Sequence, residues 1–158
     1  MSSCRETDNS FMRLALAQAK LAGEIGETPV GAVIVREGEV IASGFNQRES
    51  ERCALAHAEL LAIRRACENL GGWRLPGCTL YVTLEPCPMC AGAIINARIP
   101  RVVFGALDPK AGCFGSVSDF NALPFNHKPD ITSGVMEEEC AQLLRDFFRG
   151  LRGGAVNK

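Results

Sequence analysis

Two short segments of the chain carry residues whose types and spacing could build a catalytic metal centre. His57 and Glu59 stand two residues apart, and Cys87 and Cys90 follow as the ends of a C-x-x-C segment. One imidazole and two thiolates form a ligand set that suits zinc. Three protein ligands leave a fourth position for water, which is the pattern of a catalytic zinc site. We therefore predict that His57, Cys87 and Cys90 hold one Zn²⁺.

Glu59 is not needed as a zinc ligand, and we assign it to proton transfer. Zinc lowers the pKa of a bound water to about 7, so that hydroxide is available at neutral pH. A carboxylate beside such a water can take up its proton and pass it on to a substrate, which is general acid–base catalysis. Glu59 is accordingly predicted to be the catalytic residue.

Other uses of a C-x-x-C segment are open at this point, because redox modules and structural zinc sites both contain it. A redox site gives no role to His57 and Glu59. A structural zinc site needs a fourth ligand, for which Cys53 and Cys113 are the candidates. The presence of both half-motifs favours the catalytic site.

The starts of two helices are expected to position the four residues. An apolar stripe predicts a helix over residues 56–70, which ends at a pair of glycines. Residues 79–84 predict a strand, and Pro88 suits the first turn of a helix over residues 88–97. A helix N-terminus favours negative charge, which helps to keep cysteines as thiolates. His57 and Glu59 would thus open one helix, and the two cysteines would open the next.

The remaining elements predict a sheet with helices on both faces, because strands and helices alternate along the chain. Residues 8–10 offer caps for a helix over residues 11–22. The segment 105–130 has little regular pattern but several aromatic residues, which predicts a loop that packs on the site or on a substrate. The other predicted elements are strands at 30–35, 40–45, 101–104 and 130–132, and a last amphipathic helix with an apolar stripe from Cys140 to Leu151.

Composition bounds the class of the protein. The chain has 158 residues, 47% of them hydrophobic and 22% charged, which predicts one globular domain over residues 1–158. A net charge of −1 gives no overall basic field, although the C-terminus is slightly basic. Without an apolar run of about 18 residues or a signal segment, we expect no membrane span and a cytoplasmic location. The eight cysteines are expected to provide free thiols apart from the metal ligands.

The chain resembles the bacterial tRNA-specific adenosine deaminases, which belong to the cytidine deaminase-like superfamily. The resemblance covers nearly the whole chain and is most specific, besides the metal motif, at residues 29–33, 80–93, 102–106 and 125–127. It implies an α/β protein with a three-layer α/β/α fold, a central five-stranded mixed sheet, and a homodimer with one Zn²⁺ per subunit. It also implies hydrolytic deamination of the wobble adenosine of a tRNA-Arg-type anticodon to inosine, with attack on C6 and Glu59 as the proton shuttle.

The same resemblance suggests which residues hold the substrate. Asn46, directly after the second predicted strand, would hold the purine through its amide, which can both donate and accept. Asp108 would contact a ribose hydroxyl of the anticodon stem-loop, and Asn126 would contact the nucleotide that leaves the stack. Each of these three residues could instead be an ordinary turn residue.

The last helix would meet the RNA beside the target nucleotide. Phe148 could stack on a neighbouring base, while Arg149 and Arg152 could meet phosphates. Core packing is the alternative for Phe148 or its neighbour Phe147, and solvated helix charge is the alternative for the arginines. At the level of function, a deaminase of free guanine or cytosine would share the zinc chemistry, and a non-enzymatic structural-zinc or RNA-binding module is the third hypothesis.

Overall fold

The computed structural model of the protein describes the backbone of residues 2–155 and the side chains of residues 4–151. None of the helices in this part of the chain is long and apolar enough to cross a membrane. The helices are α1 (Ser2–Glu24), α2 (Ala58–Leu70), α3 (Pro88–Asn96) and α4 (Glu137–Ala155). The strands are β1 (Gly31–Arg36), β2 (Glu39–Phe45), β3 (Cys78–Leu84), β4 (Arg101–Ala106) and β5 (Asp130–Thr132), with a 3₁₀ turn at Phe120–Ala122 before β5.

The strands form one mixed sheet in the order β2–β1–β3–β4–β5. β1 runs antiparallel to β2 and to β3, whereas β3, β4 and β5 run parallel to one another. Parallel neighbours need a crossover connection, and α3 lies in the connection between β3 and β4. The predicted five-stranded mixed sheet is confirmed, and α3 begins just after its middle strand.

Strand side chains alternate between two cores, one on each face of the sheet. On one face, Leu80 and Phe104 pack with residues of α2 and α3. On the other face, Tyr81 and Val103 pack with residues of α1 and α4. This alternation follows from the two-residue period of a strand. The three-layer α/β/α arrangement is therefore confirmed.

Two glycines let helices approach the sheet closely. A Cβ atom on Gly31 would lie 2.1 Å from the carbonyl oxygen of Ala15 in α1, and one on Gly44 would lie 2.6 Å from that of Ala58 in α2. No side chain fits at these separations, so the helix backbone packs directly on the strand. Because Ala58 is the first residue of α2, the start of that helix packs directly on β2 at Gly44.

α1 differs from the prediction at its N-terminal end. The expectation of capping residues at 8–10 is wrong, since α1 begins at Ser2 and Asp8 lies within it. Asp8 is buried, and its carboxylate accepts hydrogen bonds from Tyr81 in β3 and Arg101 in β4. Aspartate is a common N-cap residue, but here its charge serves an ion pair that joins α1 to the sheet.

Candidate active site

The first turns of α2 and α3 lie side by side and carry the metal motif. His57 is the N-cap residue of α2, and Cys87 is the N-cap residue of α3, with Pro88 in the first turn. Both cap residues have an extended backbone, and neither side chain makes a capping hydrogen bond to its own helix. Cys90 follows in the first turn of α3 on the same side as Cys87. The predicted placement of the motif at two helix starts is confirmed.

The three potential ligands have the spacing of a zinc site. His57 Nδ1 lies 3.7 Å from Cys87 Sγ and 3.6 Å from Cys90 Sγ. A tetrahedral zinc with Zn–N of about 2.1 Å and Zn–S of about 2.3 Å places such nitrogen and sulfur atoms about 3.6 Å apart. All three ligand atoms lie within 4.8 Å of one another. Both the donor set and its geometry fit one zinc ion.

No fourth protein ligand joins this group among the residues that the structure describes. Cys113 donates its S–H to the carbonyl oxygen of Ala111 instead, and Cys53 also lies outside the group. No cysteine is in a disulfide, as predicted. Three ligands with an open fourth position are the arrangement of a catalytic zinc site rather than of a structural one.

Hydrogen bonds within the group stabilise negative charge on sulfur. A hydrogen bond from Cys90, helped by one from His57, lowers the pKa of Cys87 to about 4. The bond with Cys87 and burial raise the pKa of Cys90, and the bond to Cys87 raises the pKa of His57. A divalent cation that replaces the shared protons would let both thiols ionise and would keep the imidazole neutral.

Glu59 lies in the first turn of α2, and its side chain is buried beside the three ligands. Burial raises the pKa of its carboxyl to about 7, because the charged form is poorly solvated there. A group with a pKa near neutrality can both take up and release a proton. Glu59 is not one of the three potential ligands, which agrees with the separate role assigned to it.

A pocket of about 760 Å³ opens over the metal group, and His57, Glu59 and Cys87 form part of its wall. This volume is within the range of sites for small ligands. Four of the residues suggested for substrate binding line the same pocket: Asn46, Asp108, Phe148 and Arg149. The fold therefore brings these residues from three separate segments to the metal group.

The Asn46 amide is held by the protein and still has capacity for a ligand. Its Nδ2 donates to the carbonyl oxygen of Thr28 at 3.3 Å, and its Oδ1 accepts from the backbone N–H of Arg48 at 3.2 Å. A primary amide has two N–H donors and two acceptor lone pairs. One donor and one lone pair therefore remain for a bound base.

Asp108 begins a turn at the pocket wall. Its Oδ1 accepts hydrogen bonds from the backbone N–H groups of Lys110 and Ala111, at 3.0 and 3.2 Å. Such a turn is a common role of aspartate in loops. Asp108 thus has both the ordinary turn role and a place in the pocket.

α4 contributes an aromatic and a basic side chain to the pocket. Phe148 is 43% exposed and lines the pocket, while its ring contacts that of Phe147 edge-on, with centroids 5.4 Å apart. Phe147 is the less exposed of the two rings. Arg149 also lines the pocket, whereas the side chain of Arg152 lies outside the described residues. The contact of Arg152 with phosphate stays a prediction.

The pocket and the predicted site differ at a few positions. Asn126 is exposed in the loop before β5 and does not line the pocket, so its contact with a nucleotide stays a prediction. The pocket wall includes further charged residues that we did not assign to the site from sequence: Arg48, Lys110, Arg145 and the buried Glu85. The sequence did offer one signal for them, since each stands close in the chain to a residue that was assigned to the site. These neighbours are Asn46, Asp108, Arg149 and Cys87, in the same order.

Relatives of the chain agree with this site. Residues 5–106 match the family model described as the cytidine and deoxycytidylate deaminase zinc-binding region. The tRNA-specific adenosine deaminase of Bacillus subtilis (strain 168) is 54% identical to the chain over 146 residues, which cover 92% of the chain and 91% of that protein. Both similarities include the two segments that supply the zinc ligands.

Solved structures of two kinds of deaminase share the fold. A chain from a study of A-to-I editing by tRNA:A34 deaminases at the wobble position of transfer RNA aligns with a TM-score of 0.83 and 51% identity. That alignment covers 85% of this chain and 99% of the other. The guanine deaminase of Nitrosomonas europaea aligns with a TM-score of 0.77 and 25% identity, over 88% of this chain and 83% of the other. Of these two alignments, the one with the tRNA:A34 deaminase chain has about twice the identity.

Proposed function

This chain belongs to the family of tRNA-specific adenosine deaminases, and we propose that it converts the wobble adenosine of a tRNA anticodon to inosine. The reaction is hydrolytic: one water is consumed and one ammonia is released. One observation carries the proposal, namely that the wall of a single pocket combines two of the three zinc ligands, His57 and Cys87, with the buried Glu59 and four basic side chains. The ligands and Glu59 supply deamination chemistry, and the basic side chains supply contacts for RNA.

Glu59 is the residue that moves protons in this proposal. Zinc held by His57, Cys87 and Cys90 supplies a Lewis acid that makes water a good nucleophile at neutral pH. Glu59 takes one proton of the attacking water and delivers it to a ring nitrogen of adenine. It then takes the proton of the new C6 hydroxyl and gives it to the departing amine, which leaves as ammonia as the C6 carbonyl forms. Because Glu59 is buried, these protons are exchanged within the pocket. Glu59 finishes each turnover in the state in which it began.

Three side chains would orient the nucleotide over the metal group. The remaining N–H and lone pair of Asn46 can bind the edge of a purine, which offers both acceptors and donors. The Asp108 carboxylate can accept a hydrogen bond from a ribose hydroxyl. The exposed ring of Phe148 can stack on a neighbouring base, as aromatic side chains do with unstacked RNA.

The basic side chains of the pocket favour an RNA substrate over a free base. They are Arg48, Lys110, Arg145 and Arg149. Each of the three arginines pairs with one exposed carboxylate, and exposed pairs contribute little free energy, so a phosphate can replace the carboxylate. Lys110 forms no ion pair among the described side chains. A deaminase of free guanine or cytosine has no phosphates to bind and needs no such residues.

Further features of the substrate complex belong to the same proposal. We propose that the tRNA is of the arginine type, that Asn126 and Arg152 add contacts to it, and that the protein is a homodimer with one site per subunit. Light scattering of the purified protein measures the oligomeric state directly.

The test of the function is a comparison of substrates. We expect inosine in an anticodon stem-loop with adenosine at the wobble position, and none when that adenosine is moved to a neighbouring position. We expect no release of ammonia from guanine or cytosine. A protein that deaminates guanine and leaves the stem-loop unchanged would be a free-base enzyme, contrary to the proposal.

Two arginine variants test the contact with phosphate. Arg149→Gln should raise KM for the stem-loop and lower the slope of its salt dependence by about one, because one phosphate contact is lost. Arg64→Gln is the matched control: Arg64 pairs with Glu68 on the exposed face of α2 and does not line the pocket. Equal effects of the two substitutions would count against RNA binding at the pocket.

A further inference from the structure

Glu85 is a buried acidic residue that the reaction described above does not use. It follows β3 directly, lies two residues before Cys87, and is 2% exposed. It is not one of the three potential metal ligands. A buried carboxylate is unfavourable unless hydrogen bonds satisfy it. The partners of Glu85 therefore indicate its role.

Within the described part of the chain, all the side-chain hydrogen bonds of Glu85 come from one loop, residues 107–118. Oε1 accepts from the backbone N–H of Asp108 at 3.0 Å, and Oε2 accepts from those of Phe114 and Ser116 at 3.0 and 3.1 Å. The hydroxyl of Ser116 donates a further bond to Oε1. Four donors from the loop thus converge on one carboxylate.

The backbone of the loop packs directly on this carboxylate at Gly112. A Cβ atom there would lie 2.2 Å from Cδ of Glu85, and 2.4 and 2.5 Å from its two oxygens. The next residue, Cys113, donates its backbone N–H to the carbonyl oxygen of Pro86 at 2.9 Å. The loop is therefore docked on residues 85–86, immediately before the zinc ligand Cys87.

We propose that Glu85 is a positioning residue for the substrate, because it holds the loop 107–118 as a fixed wall of the pocket and thereby places Asp108 at the bound nucleotide. The inference rests on the proposed function, which assigns Asp108 to the ribose. The N–H of Asp108 is itself one of the four donors. The Asp108 side chain bonds to Lys110 and Ala111 within the same loop, so it moves with the loop as one unit.

The role requires the carboxylate and not only a side chain of that size. A carboxylate offers about four acceptor positions, whereas the amide of glutamine offers one oxygen and two N–H donors. In Glu85→Gln, an N–H group would face backbone N–H groups of the loop, whichever way the amide is turned. We therefore expect the isosteric substitution to release the loop without creating a cavity.

The decisive measurement is the coupling between Glu85 and Asp108. We expect Glu85→Gln to keep its zinc and to raise KM for the stem-loop about 10-fold or more, with a smaller change in kcat, because a displacement of about 1 Å can reduce catalytic efficiency 100-fold. Asp108→Ala should raise KM in the wild-type background but change it little in the Glu85→Gln background. Such non-additivity is expected of residues that act through one contact.

Glu27 provides a matched control beside a different segment of the pocket wall, which includes Thr28 and Asn46. It is equally buried, and its carboxylate accepts hydrogen bonds from the backbone N–H groups of Glu49 and Ser50, in the loop that follows Asn46. Glu27→Gln should also raise KM for the stem-loop. In the double variant with Asp108→Ala, however, the two increases in KM should multiply, because the residues act independently. If the effects came only from the loss of a buried carboxylate, Glu85→Gln and Glu27→Gln would show the same coupling with Asp108→Ala.

Hydrogen exchange gives a readout that does not depend on activity. Glu85→Gln should speed exchange of the amides of Asp108, Phe114 and Ser116, and Glu27→Gln should speed that of residues 49–50. A folded, zinc-bound Glu85→Gln protein with unchanged exchange in its loop, or with an Asp108→Ala factor as large as in wild type, would overturn the proposal. A different outcome is that Glu85→Gln speeds loop exchange as expected, but the wild-type protein does not deaminate the stem-loop. That outcome would point to a failure of the proposed function and not of the role of Glu85 in the loop.

Ser116→Ala continues the test if Glu85→Gln does not fold, because it removes one of the four bonds and keeps the carboxylate. We expect a smaller rise in KM and a reduced Asp108→Ala factor. A Ser116→Ala protein with the wild-type KM and wild-type loop exchange would likewise overturn the proposal.

Discussion

Replacement of Asp8 by asparagine should destabilise the fold at a point remote from the pocket. The Asp8 carboxylate accepts a hydrogen bond from Tyr81 Oη at 2.7 Å and two from the Arg101 guanidinium at 2.9 and 2.7 Å. These bonds join α1 to β3 and β4. Asparagine has nearly the same shape, but it lacks the charge and offers an N–H group to partners that are themselves donors.

The expected loss in the free energy of unfolding follows from the burial of the Asp8–Arg101 ion pair. Removal of one partner of a buried ion pair costs about 3–5 kcal/mol. The lower end applies here, because the Arg101 side chain is 34% exposed and water can solvate it. We therefore expect a loss of about 3 kcal/mol in the free energy of unfolding. For a chain of this length, that loss lowers Tm by about 6–12 °C.

Thermal melting and urea denaturation at neutral pH measure this loss. Asp146→Asn is the control, because it removes an Asp–Arg pair on α4 whose side chains are 55% and 68% exposed. Such exposed pairs contribute about 0.5 kcal/mol or less. If Asp8→Asn melted at the wild-type temperature, or no lower than Asp146→Asn, the reasoning about the buried pair would be refuted.

The pKa of Asp8 gives this difference in stability a dependence on pH. Burial disfavours the charged form, but hydrogen bonds from Arg101 and Tyr81 outweigh burial and hold the pKa below its ordinary value of 3.8. A lowered pKa stabilises the fold fully above the unfolded pKa, and this contribution is lost as pH falls through the folded pKa. The difference between wild type and Asp8→Asn should thus be constant above about pH 5 and shrink below about pH 4. Growth of the difference in acid would contradict the argument.

Three further predictions concern the pocket and the helix that positions it. Glu59→Ala should retain one zinc per chain by metal analysis and lose a factor of about 100 or more in kcat, since it removes the general acid–base group; loss of zinc would show that Glu59 is a ligand. Chelation should abolish deamination and lower Tm, and zinc should restore both, because metal binding is coupled to folding. Gly44→Ala should cost about 1–3 kcal/mol by overpacking against Ala58, whereas Gly72→Ala, where a Cβ would meet nothing within 4 Å, should cost far less.

The parts of the fold that could be predicted are those with local causes. The helices 58–70 and 88–96 follow from apolar periodicity, from the glycine after the first and from Pro88 at the start of the second. The metal site follows because its ligands stand at these helix starts. Spacing alone therefore located the reactive groups, although it did not give the distance between the two helices.

The parts that could not be predicted depend on partners far away in sequence. Asp8 looked like a capping residue because its partner Arg101 is 93 residues away. Glu85 stood beside the metal motif without an assigned role, because its donors lie in a loop with no regular pattern. The choice between Phe147 and Phe148 was open for a similar reason: both lie on the apolar stripe, and only the packing of α4 on the sheet decides which ring reaches the pocket.

The use of helix N-caps as ligand positions explains how a short motif can serve both metal binding and chemistry. An N-cap side chain usually bonds to the first turn of its own helix, and its loss costs about 1 kcal/mol. His57 and Cys87 make no capping hydrogen bond, so their side chains are available to each other and to a metal. Two helix N-termini then direct their partial positive charge to one point, where thiolates and the oxygen of an activated water carry negative charge. The small loss of helix stability is offset by a zinc site whose binding free energy is of the order of 10 kcal/mol.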